Sequence, residues 1–97
     1  MHIGVCRLKT YLPESGSLKA KRQVARSLTT RLRNQFNVAV AEVDDNDLCQ
    51  RLTLGVCCVS NDSAHANEML SRVVNFVEQF RGDLELLDYE TEIISGV

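Results

Sequence analysis

Apolar and polar positions along the chain fall into six blocks of two kinds. Residues 2–9 have strand character: Ile3, Val5, Arg7 and Lys9 share one parity, Gly4 and Leu8 the other. Leu12-Pro13-Glu14-Ser15-Gly16-Ser17 is a turn punctuated by proline and glycine, and Ser17 is a suitable helix N-cap. From Leu18 to about Gln35 the period is helical. Leu18, Ala25, Leu28, Leu32 and Phe36 form one stripe, with Val24 at its margin. Val38 to Val43 is β-rich, and Asp44-Asp45-Asn46-Asp47 is a turn whose side chains favour local backbone hydrogen bonds. Leu52 to Val59 is a nearly continuous apolar run, as in a central strand.

A second helix follows. Ser60-Asn61-Asp62-Ser63 offers its N-cap, and Gly82 suits its C-terminal cap. Ala66, Met69, Leu70, Val73, Phe76, Val77 and Phe80 form its apolar face. Leu86 to Ile94 then alternates, with Leu87, Tyr89, Thr91 and Ile93 on one side and Asp88, Glu90 and Glu92 on the other. The order is β-α-β-β-α-β. It predicts one α+β ferredoxin-like domain over residues 1–97: an antiparallel sheet in order 4-1-3-2, with both helices on one face. The other sheet face is then left open. Arg7 and Lys9 are expected on that open face, across from Glu90 and Asp88, while Leu87, Tyr89 and Ile93 turn inward.

Charge adds one feature. The net charge of −2 conceals a split. Residues 1–40 hold eight basic side chains and one acid, a balance of +7; residues 41–97 hold three basic side chains and twelve acids, a balance of −9. Lys19, Arg22, Arg26 and Arg33 fall within about 60° of one another on the first helix, a row suited to phosphates. Ser17 precedes the free N–H groups of that helix. Lys21 is the exception, because it falls on the apolar stripe; it either snorkels from the first turn or points into a site. A solvated helix face is the plain alternative for the whole row.

The segments Ser17-Leu18-Lys19-Ala20-Lys21-Arg22, Phe36 to Asp44, Leu54-Gly55-Val56 with Ser60-Asn61-Asp62, and Leu86-Leu87-Asp88-Tyr89-Glu90 together resemble the YlxP-like family of small bacterial proteins. The resemblance implies a ferredoxin-like fold and a domain of unknown function without accepted catalytic residues. It also implies gene surroundings rich in translation and ribosome-maturation factors. One departure is Cys49, where the family leads one to expect an aromatic residue.

Other chemistry is sparse. No apolar run reaches the ~20 residues of a membrane span, and Met1 to Arg7 has no basic leader, so a cytoplasmic location is expected. Cys6, Cys49, Cys57 and Cys58 include no C-x-x-C pair, and adjacent Cys57 and Cys58 point to opposite faces of a strand; neither metal nor cofactor is expected. Acids alternating along a last, edge strand discourage edge pairing more often than they bind metal. The central strands lack the aromatics of an RNA-recognition motif, and no G-x-x-G loop or P-loop occurs, so any RNA binding would be electrostatic. The expected function is therefore non-enzymatic: binding of RNA or a ribosomal particle by Ser17, Lys19, Lys21, Arg22, Arg26 and Arg33. Two alternatives stand beside it. One is a homodimer or docked protein on an open face carrying Ile3, Val5, Cys57 and Val59. The other is a small-anion site in the Ser15–Ser17 loop with Lys21.

Overall fold

The computed structural model describes residues 1–80 and 82–97. The elements run β1 (His2–Tyr11), α1 (Leu18–Gln35), β2 (Ala39–Asp44), β3 (Arg51–Ser60), α2 (Ser63–Glu78) and β4 (Glu85–Ser95). The four strands form one antiparallel sheet in order β2-β3-β1-β4. This is the ferredoxin-like arrangement expected from the pattern, with β1 and β3 central and β2 and β4 as edges. No helix among the described residues is long and apolar enough to cross a membrane.

The core lies between the sheet and the helices. Cys6 and Leu8 of β1 and Leu52, Leu54, Val56 and Cys58 of β3 meet Leu28 and Leu32 of α1 and Ala66, Leu70, Val73 and Val77 of α2. Gly4 is required by this packing. A Cβ there would lie 2.9 Å from Cys58 Sγ and 3.1 Å from Leu70 Cδ1. Phe36, Phe76 and Phe80 close the far end of the helix pair, the first two edge to face at 5.9 Å.

Both helices start on side-chain caps. Ser17 Oγ accepts from Ala20 N at 3.1 Å, and an Asp62 carboxylate oxygen accepts from Ala64 N at 2.9 Å. The end of α2 differs from expectation. The helix stops at Glu78, capped by Gln79 with φ −105°, so Phe80 and Gly82 lie beyond it and Gly82 is not its cap. A glycine cap serves a left-handed turn; here the N–H of Gln79 closes on the carbonyls of Asn75 and Phe76 instead.

The register bears out the cross-strand expectation: Arg7 pairs with Glu90 and Lys9 with Asp88. One step further the strands slip, so that Thr10 pairs with Leu86. Leu87 is therefore the extra residue of a bulge. It is 43% exposed, and Leu86 turns toward the core in its place. A strict alternation could not foresee that. Tyr89 shares the helix-side parity but lies at the sheet margin, 49% exposed. A second bulge, between Glu42 and Asp44, leaves Val43 lying over Gly55.

Candidate functional site

Helix α1 divides its basic side chains between two environments. Lys19, Arg22, Arg26 and Arg33 are all exposed. Their row spans fifteen residues, about 21 Å of helix axis. Among the described residues Lys19, Arg22 and Arg26 enter no ion pair. Arg33 is anchored on one side: its guanidinium donates to the carbonyl of Val40 at 2.7 Å. That contact places the row along the β2 edge of the molecule. It also occupies a backbone acceptor on an edge strand, which would otherwise be open to pairing. On the other flank of α1, Arg31 lies 5.5 Å from the Phe80 ring centroid and faces α2.

Lys21 is not part of the row. It is 1% exposed, and its ammonium donates to the carbonyls of Asp45 (2.8 Å), Asn46 (3.2 Å) and Arg51 (3.1 Å). Glu42 Oε2 lies 2.7 Å away as the counter-charge. That buried oxygen makes no hydrogen bond of good geometry and is held by charge alone. The three ammonium protons are committed to the β2–β3 loop, so the expectation that Lys21 joins an anion site is corrected. The loop is shaped for this lysine. Asp45 sits at φ 60°, a left-handed position that Asp tolerates, and its carboxylate accepts from Thr53 Oγ1 at 2.9 Å.

The Ser15–Ser17 loop is likewise engaged internally. Ser15 Oγ donates to the Ser17 carbonyl at 3.2 Å, and Ser17 Oγ is the helix cap. Asp45, whose carbonyl holds Lys21, turns its carboxylate to Thr53 Oγ1. In a small-anion site built on Ser17 and Lys21 the lysine's donors are already spent on backbone carbonyls, and Ser17 Oγ is engaged as the acceptor of the helix cap.

The open sheet face carries the second set of candidates. Ile3 pairs with Val59 and Val5 with Cys57, so these four sit together. Ala39 and Ile94 extend the patch through their pairing with Cys57 and Ile3. Val59 is 61% exposed. Sequence parity alone placed this patch; Val43, 45% exposed, shares the parity of Ala39 and lies on the same face over Gly55.

The remaining titratable groups are dispersed. Cys6 and Cys58 are buried, and loss of hydration pushes both thiols upward, Cys6 to about 11. Cys57 is exposed and Cys49 half-buried. His2 Nδ1 shares a hydrogen bond with Ser95 Oγ at 2.7 Å, and His65 Nδ1 with Ser60 Oγ at 3.1 Å. Among the described residues no group of three or more His, Cys, Asp and Glu is placed to hold a metal ion.

Residues 3–91 match the family described as "Protein of unknown function (DUF503)". The chain is also 35% identical over 78 residues to the uncharacterized protein YlxP of Bacillus subtilis (strain 168), covering 80% of this chain and 85% of that protein.

Proposed function

The chain belongs to the DUF503 family, and from the geometry of α1 we propose that it is a non-catalytic cytoplasmic accessory protein that binds RNA or a ribosomal particle. The binding residues are Lys19, Arg22, Arg26 and Arg33. The observation that carries the reading is the row of exposed cations along α1, three of which face no protein carboxylate among the described residues. A cation with no internal partner is available to phosphate. Phosphate contacts from all four cations of the row predict a dependence of log K on log salt with a slope of about −3 to −4. Recognition is then of backbone and shape, since the row offers no aromatic surface for stacking bases.

The test is a salt series of binding to ribosomal RNA and to purified ribosomal subunits, with wild type against Lys19→Glu/Arg22→Glu/Arg26→Glu. Arg33→Gln is measured separately, because Arg33 also holds β2. The expected result is loss of binding in the triple variant and a slope shallower by about one in Arg33→Gln. Equal affinity and slope in wild type and triple variant would refute the proposal.

A further inference from the structure

We propose that the open face of the sheet is a two-fold interface between copies of this chain, with Val5 at its centre. The face is unevenly built. Ile3, Val5, Val43, Cys57, Val59 and Ile94 make an apolar block, and Val59 and Ile94 are 61% and 40% exposed. Beside the block, Val5, Arg7, Glu90 and Glu92 line a shallow hollow. The charges around that hollow are poorly used within one chain. Among the described residues Arg7 forms an ion pair with Asp44 alone, at 3.8 Å, with both side chains about half exposed. Among the described residues neither Glu90 nor Glu92 enters an ion pair.

Charge complementarity selects a second copy and its orientation. From Val5, Arg7 is one same-face step along β1, about 7 Å away; Glu92 pairs with Val5 on the neighbouring strand, about 5 Å across. On the opposite sides, Ile3 is one step back along β1 and Cys57 is one strand across. A two-fold axis in the plane of the interface, running at about 45° to the strands, exchanges the two directions. It brings Arg7 of each copy over Glu92 of the other, and Ile3 of each over the other's Cys57. The strands of the two sheets then cross near 90°, a recognised packing of sheet on sheet. The other simple choices fail. An axis along the strands sets Glu92 over Cys57, and one across them sets Arg7 over Ile3. The second diagonal sets Arg7 over Cys57. The favoured axis also brings the two Glu90 side chains together at the rim, between the two arginines.

Sedimentation equilibrium over a micromolar to millimolar range tests the proposal. Wild type is expected to dimerise. Val5→Lys, on the open side of β1, is expected to be a folded monomer by circular dichroism. Arg7→Glu and Glu92→Arg are each expected to weaken the dimer by about tenfold or more, and Arg7→Glu/Glu92→Arg to recover most of it. Glu90→Gln is expected to tighten it. A second readout keeps the test independent of the variants' folding. Maleimide labelling of Cys57, read by peptide mass, should slow as wild-type concentration rises and not do so in Val5→Lys. A wild type that remains monomeric throughout, a dimer indifferent to Val5→Lys, or a charge exchange that restores nothing would overturn the proposal. None of these outcomes decides whether a single α1 row binds RNA, since the row lies on the other layer.

Discussion

Replacing Lys21 with methionine keeps the length and apolar stem of the side chain and deletes its ammonium. Three carbonyls, those of Asp45, Asn46 and Arg51, then lose their donor together, and Glu42 loses its counter-charge. Removing one member of a buried ion pair costs about 3–5 kcal/mol, because the other charge is left unpaired. A domain of this size has a total stability of about 5–15 kcal/mol. The expected fall in Tm is at least about 12 °C, at about 4 °C or more per kcal/mol. Denaturant titration measures it, and the slope m should be unchanged.

Glu42→Gln separates the charge from the cage. It leaves the carbonyl bonds intact and should cost less than Lys21→Met. The double variant should cost less than the two losses added, by about 0.5–3 kcal/mol. Amide exchange should quicken in the loop between Asp45 and Arg51, whose carbonyls the ammonium gathers. A loss below about 1 kcal/mol for Lys21→Met, the value of a solvated surface pair, would refute the cage.

Three further outcomes are expected. Gly4→Ala should lose about 1–3 kcal/mol by denaturant titration, because its Cβ would press on Cys58 and Leu70 in a filled core, and adding Cys58→Ala should recover part of the loss. Stability should decline as pH rises from about 9 to about 11: the unfolded chain ionises Cys6 at its ordinary value while the folded chain holds the proton until about 11, so the stability present below pH 9 is lost above it, by up to about 2–3 kcal/mol, and Cys6→Ala should flatten the profile. Ser17→Ala should cost about 0.5–2 kcal/mol in thermal unfolding, since it removes the cap on Ala20 N, and should leave the salt slope of RNA binding unchanged.

Much of this architecture is written in periodicity. Strand parity alone put Ile3, Val5, Cys57 and Val59 on one face, and paired Arg7 with Glu90, because a two-residue repeat leaves only two faces to choose between. Parity failed at Leu87, where a bulge inserts a residue and the count slips. A bulge has no sequence mark here: both flanks are ordinary strand residues. The end of α2 was misjudged because Phe80 continues the apolar stripe after the backbone has left the helix.

The role of Lys21 was half legible. Its place on the apolar stripe of α1 was a sound signal that its stem is buried. The companion signal was Glu42, which shares strand parity with Val38 and Val40 on the helix side of β2. Two opposite charges, each at an apolar position on adjoining elements, point to each other. The three carbonyls were not legible, since backbone acceptors carry no residue identity and depend on a loop turn at Asp45.

The two surfaces are related through the sheet they share. The cation row lies on the helix layer along β2, and the apolar face lies on the reverse of the same sheet. A dimer closed through the open face therefore leaves both α1 rows outward and related by the two-fold axis. An RNA long enough to reach both rows would gain the second as an intramolecular contact, with affinity rising beyond either row alone. The salt slope distinguishes the cases. A single row predicts about −3 to −4, two rows engaged together predict about twice that, and Val5→Lys should return the steeper value to the shallower one without touching a basic residue. A slope near −3 to −4 in both proteins would mean that each RNA meets one row only, and that the dimer contributes nothing to the binding step.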